Sequence, residues 1–281
     1  MRLSAIAKRL FPDFATRLVL RRIAFLPLDL WDAALGHRDE LTPPRGLWFI
    51  GGGNFRGIGE QFLDYFIRFG KLKPDDRVLD VGCGIGRMAV PLTRYLSTAG
   101  SYEGLDIVSQ GIEWCREHIT PRYPNFKFCV AEIYSRHYNP HGRLEAASYR
   151  FPYPDGSFDF VFAASVFTHM LPDGVKNYIA EMSRVCKLGG RCLFTAFLLN
   201  KESCHLIASG KSTLRFQDGP QQYCMVIDPA FPETAVALAE QFVTDSLNQV
   251  ALTVQDPPLL GSWCGRANWT SYQDMLVVQR R

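Results

Sequence analysis

Two rhythms of apolar and polar positions alternate along the chain. Ile58, Phe62, Tyr65, Phe66 and Phe69 recur at the helical period, and Gly70 closes the run. After the turn Pro74-Asp75-Asp76, the segment Arg77-Val78-Leu79-Asp80-Val81 predicts a short buried strand. A glycine loop follows, then a helical stretch to about Leu96. The alternation repeats with a strand over 102–107 and a helix over 109–119, for which Ser109 is the expected N-cap. Strands are expected over 126–131 and 158–164, the second entered through the turn Pro154-Asp155-Gly156-Ser157. A helix over 175–186 is expected to end at Gly189-Gly190, before a long apolar strand over 191–199. A helix over 234–242 and two last strands over 250–254 and 273–278 complete the pattern. Strands alternating with helices predict βαβ units and a mostly parallel sheet.

Two segments depart from this rhythm. Residues 200–230 are polar, with Gly210, Gly219 and Pro220, and are expected to form a lid or a substrate-side insertion. Residues 1–50 are expected as an N-terminal helical extension, and residues 51–281 as one α/β domain. The extension ends at Thr42-Pro43-Pro44 and Gly51-Gly52-Gly53. Its first part sets Leu3, Ile6, Leu10 and Phe11 at helical spacing among lysines and arginines. Residues 1–22 hold six basic groups and one acid, while the whole chain carries a net charge of only +3. The expectation is a surface helix that packs its apolar face on the domain. The alternative is a helix lying on a membrane surface, a peripheral contact through the basic segment. Arg17, Arg21 and Arg22 interrupt any secretory h-region.

Composition narrows the class. The 281 residues are 47% hydrophobic and 21% charged, too apolar for a disordered chain and long enough for a large core. No uninterrupted apolar window is long enough to predict a membrane span. The basic groups cluster at one end instead of spreading over a face, which argues against nucleic acid. None of the eight cysteines forms a Cys-x-x-Cys pair, so no metal site is predicted, and the expected compartment is the reducing cytoplasm.

The strongest chemical signal is Val78-Leu79-Asp80-Val81-Gly82-Cys83-Gly84-Ile85-Gly86. Glycines let the backbone turn sharply and approach a ligand, and the helix that follows offers unpaired N–H groups. Asp106 closes the next strand, where an acid accepts hydrogen bonds from ribose hydroxyls in doubly wound folds. The spacing is G-x-G-x-G, with Arg87 where a dinucleotide fingerprint carries its third glycine. Asp80 before the loop would repel a pyrophosphate and attract a cation. A nucleoside with a positive amino-acid tail fits better than NAD or FAD.

These residues resemble motif I of class I S-adenosylmethionine-dependent methyltransferases, of the type 11/25-like kind. Phe151-Pro152-Tyr153-Pro154-Asp155-Gly156-Ser157-Phe158-Asp159 resembles the segment entering the family's fourth strand. Lys187-Leu188-Gly189-Gly190 resembles the turn before its fifth, with Leu188 replacing the usual proline. The resemblance implies a Rossmann-like, doubly wound, mostly parallel seven-stranded sheet with an antiparallel last strand. It implies S-adenosyl-L-methionine as cofactor. Gly82, Cys83, Gly84 and Gly86 would line the methionine part, with Asp80 facing its amino end. Asp106 would hold the ribose and Ile107 would lie against the adenine. Glu132 and backbone Ile133 would reach the adenine amino group, and Ala163, Ala164 and Ser165 would sit beside the reacting methyl. Asp159 is read as a structural capping residue.

Methyl transfer is an in-line displacement, so the protein must align nucleophile and methyl and exclude water. An oxygen acceptor gains from a general base, and His169, directly after the fourth strand, is the catalytic candidate. His205 in the 200–230 segment is a weaker one, and Arg56 is a candidate for binding a carboxylate. The aromatic-rich stretch from Gly261 to Asp274 is expected at a pocket edge. The expected reaction is O-methylation of a small-molecule or glycan acceptor. The alternatives are methylation of nitrogen or of a protein side chain, and a non-catalytic module that only binds the cofactor.

Overall fold

The computed structural model describes residues 14–49, 53–255 and 257–281. Its centre is a parallel sheet of β1 (Arg77–Val81), β2 (Ser101–Asp106), β3 (Phe126–Val130), β4 (Phe158–Ala163) and β5 (Cys186–Leu199), in the order β3-β2-β1-β4-β5. On the far side of β5 lies antiparallel β10 (Asp274–Arg280), with Met275 opposite Thr195, and β9 (Leu252–Val254) pairs with β10. Seven strands with a reversed last one are the expected Rossmann-like arrangement.

Alternate residues of each strand feed two cores. Leu79 and Val81 of β1 face α5 (Pro172–Val185) and α7 (Glu240–Asn248), packed through Ile179, Met182 and Val243. Val78 faces α2 (Phe55–Arg68), α3 (Ala89–Tyr95) and α4 (Ser109–His118), packed through Phe66, Leu92 and Ile112. A strand buried on both faces carries apolar residues at successive positions, as Val78 and Leu79 do here.

Several expected boundaries move, each for a local reason. Ser109 is the first helical residue of α4, not its cap; Val108 precedes it, and its N–H donates to Asp106 Oδ1 at 2.8 Å. α5 starts at Pro172, whose fixed φ suits the first turn, and ends at Val185. Gly189 and Gly190 therefore lie inside β5. Cys186 pairs with Phe158 and Arg191 with Phe160, so the residues between bulge out. The run over 234–242 divides into β8 (Val236–Ala239) and the start of α7, because its first apolar residues pair with the end of β5.

The segment over 200–230 is a small structured annex. β5 runs past β10, and its residues Phe197–Leu199 pair in parallel with β8. β7 (Cys224–Val226) and β6 (Gln217–Asp218) follow antiparallel. α6 (Lys201–Ala208) begins with a capping box between Asn200 and Ser203. Phe197, Phe216 and Trp263 form a third cluster over this end of β5.

Leu3, Ile6, Leu10 and Phe11 lie outside the described residues. In α1 (Phe14–Ala34) Leu18, Asp29 and Asp32 are buried against the body. Asp29 accepts the N–H groups of Arg45 and Gly46 at 2.6 and 3.0 Å, and Asp32 pairs with Arg45 Nε at 2.8 Å. The helix approaches so closely that a side chain on Gly46 would strike the backbone of Arg22.

The C-terminal loop is fixed by one buried acid. Asp274 accepts from Leu198 N–H, Gly261 N–H, Trp263 Nε1 and Arg266 Nη1, at 2.7 to 2.8 Å. Truncating one partner of a buried charge pair costs about 3–5 kcal/mol, because the other charge stays behind. Asp274→Ala is expected to lower stability by about that much, read as a fall in the urea midpoint at unchanged slope.

Candidate functional site

A cavity of about 580 Å³ opens at the carboxyl ends of β1, β2 and β4, where ligands bind in doubly wound sheets. Its floor is the turn after β1. Gly82 and Gly84 both have positive φ, at +86° and +58°. A Cβ on Gly82 would lie 2.3 Å from Val166 Cγ2, so only glycine permits this approach of the turn to the segment after β4. Gly84 N–H donates to Asp106 Oδ2 at 2.7 Å, and Asp106 Oδ1 takes Val108 N–H. One carboxylate thus sets the glycine turn and the start of α4 together. Burial pushes this carboxyl up, and the backbone donors pull it partly back.

Of the candidate site residues singled out from the sequence, Gly82, Cys83, Gly84, Asp106, Ile107, Ile133, Ala164, Ser165 and His169 line the cavity. The others do not. Asp80 is buried on the opposite face of β1 and accepts the Tyr102 hydroxyl at 2.6 Å. Strand alternation sends its side chain away from the cavity that Val81 faces. Gly86 packs under α4 beside Cys115 and Ile119. Glu132 is exposed, and its backbone carbonyl accepts from Arg143 and Leu144. Ala163 is buried in the core behind Ala164, which does line the cavity. Arg56 instead joins Thr42 and Asp39, and His205 is exposed on α6 away from the cavity. Asp159 accepts Arg77 N–H and pairs with Lys187, both at the foot of the sheet.

His169 sits in a short 3-10 turn after β4. Its Nδ1 lies 3.0 Å from the Glu233 carbonyl. A carbonyl only accepts, so Nδ1 carries the proton in the neutral ring and Nε2 is the basic nitrogen. The ring meets Tyr138 edge-on, with centroids 5.8 Å apart. Burial pushes the Tyr138 hydroxyl up to about 12, so it stays protonated at neutral pH.

Ser165 has φ +63°, unusual for a non-glycine residue and typical of functional sites. Three hydrogen bonds hold it there. Ser165 N–H donates to Thr195 Oγ1 at 2.7 Å, Thr195 donates to Gln273 Oε1 at 2.5 Å, and Gln273 Nε2 returns to Ser165 Oγ at 2.8 Å. β4, β5 and the C-terminal loop therefore meet in one polar triangle at the cavity wall.

Sequence reasoning missed much of the rest of the wall. Phe49, Ile58, Phe62 and Tyr65 come from the segment before β1, and Ser271, Tyr272 and Gln273 from the end of the chain. The Tyr65 hydroxyl donates to the Thr270 carbonyl at 2.9 Å and joins these two walls. Only the aromatic stretch near the end carried a signal. Arg87 also lines the cavity, its guanidinium 5.8 Å over the Phe55 ring, and burial lowers it to about 10, still charged at neutral pH. Its displacement of the fingerprint glycine was the available clue.

Residues 79–194 match a family model described as a methyltransferase domain. The 27-O-demethylrifamycin SV methyltransferase of Amycolatopsis mediterranei is 32% identical over 128 residues, 46% of this chain and 41% of that protein. A ubiquinone/menaquinone biosynthesis C-methyltransferase of Xanthomonas campestris is 28% identical over 145 residues, half of each chain. The crystal structure of the PH0226 protein from Pyrococcus horikoshii shares the fold, with a TM-score of 0.56 at 18% identity, over 84% of this chain and 95% of that one. The matched segments thus span about half or less of these curated relatives' own length.

Burial and nearby Asp106 hold the Asp80 carboxyl well above its usual range, against the pull of the Tyr102 hydroxyl. A carboxyl raised in the folded state contributes fully below its unfolded value of about 4 and loses that contribution as pH rises toward the folded one. Asp80→Asn keeps an oxygen for Tyr102 and removes the titration. The wild type is therefore expected to lose stability relative to Asp80→Asn as pH rises above about 4, measured as urea midpoints of both proteins.

Proposed function

We propose that this chain, whose residues 79–194 match a methyltransferase-domain model, is a class I S-adenosylmethionine-dependent methyltransferase that acts on a hydroxyl oxygen of a small molecule. The observation that carries the oxygen is His169, a cavity histidine whose Nδ1 is committed to a backbone carbonyl and whose Nε2 is the basic atom.

The residues present fit S-adenosylmethionine. The turn at Gly82 and Gly84 is a cradle that a Cβ would fill. Asp106 spends one lone pair of each oxygen on backbone donors and keeps others for ribose hydroxyls. Ile107, Ala131 and Ile133 form an apolar slot for a base. Arg87 offers a cation to a carboxylate at the other end. The cofactor supplies a methyl group already activated by a sulfonium.

The chain does the remainder. Ser165, fixed by its triangle, sets the wall at which the two reactants meet. Phe62, Tyr65, Met170 and Tyr178 exclude water and favour an acceptor with an apolar body over a glycan. The link from Tyr65 to Thr270 roofs the cavity and favours a small acceptor over a protein side chain. His169 Nε2 takes the hydroxyl proton as the oxygen–carbon bond forms. In this reading the reaction takes place in the cytoplasm.

Two measurements test this. Calorimetry with S-adenosylmethionine is expected to show binding to the wild type and at least tenfold weaker binding to a folded Asp106→Ala variant; no binding to the folded wild type would overturn the cofactor assignment. With a hydroxylated acceptor found by transfer of labelled methyl, His169→Gln is expected to lower kcat more than tenfold at unchanged cofactor affinity. An unchanged kcat would remove His169 from the mechanism.

A further inference from the structure

α1 is built inside out for a helix resting on a soluble domain. The side chains at Val19, Leu20, Ile23, Leu26, Leu30 and Trp31 are 40% to 64% exposed. At 100° per residue these positions share the face opposite Leu18, Asp29 and Asp32, which are buried against the body. An apolar face of this length is rare on a monomeric soluble surface and marks a contact.

The polar groups around it indicate what covers it. The only acids of α1, Asp29 and Asp32, point inward and are satisfied by Arg45 and Gly46, so the outward face carries no negative charge. The flanks are basic. Arg17 and Arg21 reach the backbone carbonyls of His137 and Arg45, and Arg22 is exposed at the edge of the stripe. Over residues 1–22 six basic groups stand against one acid. A second copy docking on this face would set those like charges against each other. Among the described residues no helix is long and apolar enough to cross a membrane. An apolar stripe with basic flanks and a tryptophan near one end is the form of a helix that lies in the plane of a bilayer interface.

We infer that α1 is a docking helix for an anionic membrane surface, its apolar face sunk at the headgroup boundary and Arg22 against acidic lipid. The contact is monotopic and reversible, with an electrostatic part that salt weakens. It leaves the domain in place, because the inward face of α1 is already bound to the turn at Arg45 and to the segment at His137. The residues that hold α1 stand close in sequence to Phe49 and Tyr138, which line the cavity.

The test is sedimentation of the full chain with vesicles of phosphatidylcholine and phosphatidylglycerol, beside vesicles of phosphatidylcholine alone. The wild type is expected to pellet with the anionic vesicles. Both Ile23→Glu/Leu30→Glu and salt at about 0.5 M should weaken that binding at least tenfold. Both substituted side chains are exposed, so thermal melting and S-adenosylmethionine affinity should match the wild type, which separates lost docking from lost folding. A wild type that stays in the supernatant overturns the inference, as does a double variant that pellets equally well. A wild-type dimer that the double variant converts to monomer assigns the face to a second copy and overturns it too.

Discussion

Asp274 is the constraint on which the site depends. It is fully buried and receives four donors, from the overhang of β5, the loop before β10, an indole and a guanidinium. A carboxylate in that position is stable only when its lone pairs are filled, so the loop, Trp263 and Arg266 must take up one arrangement together. Arg266 also reaches Glu202 on α6, which ties the annex to the same centre. The residue before Asp274 is Gln273, one corner of the triangle that fixes Ser165. The geometry of the cavity wall is thus a consequence of a hydrogen-bond account settled in the core beneath it.

Asp106 plays the corresponding part at the cofactor end. Its two oxygens fix the glycine turn and the entry to α4, and the same carboxylate faces the cavity. Preorganisation of this kind means that the acid expected to bind ribose needs little movement to do so. Asp80 contributes from behind. It is paired with Tyr102 under the turn, and burial pushes its carboxyl well above the usual range. Its position before the glycines, which invites a direct role, is better accounted for as support of the strand end.

The parts of the fold legible in the sequence are those set by local periodicity and by backbone necessity. The strand over 77–81, the glycines after it and Asp106 all follow from steric and hydrogen-bonding rules confined to a few residues. The boundaries that moved were settled by tertiary pairing. Val236 to Ala239 became a strand because the end of β5 was available, and Gly189-Gly190 became a bulge because β5 starts earlier than its apolar run. The cavity was half legible. His169 and Ser165 follow a recognisable strand, whereas Tyr65 and Tyr272 reach the site only through a contact between distant segments. Glu132 shows the limit of positional analogy. The residue stands where an adenine-binding acid is expected, but the backbone there is drawn into bonds with Arg143 and Leu144, and the side chain turns to solvent.

The walls of the cavity have two origins. The glycine turn, Asp106 and the apolar Ile107, Ala131 and Ile133 come from the stretch over 79–194 that matches the family model, while Phe49, Phe62, Tyr65, Glu233 and Tyr272 come from chain on either side of it. Divergence can act on the two sets separately. A lineage can exchange its outer segments and acquire a new acceptor without disturbing the machinery that holds the methyl donor. The outer segments of this chain are therefore where it is set apart from the proteins it resembles, and likeness through the shared stretch says nothing of what those segments admit.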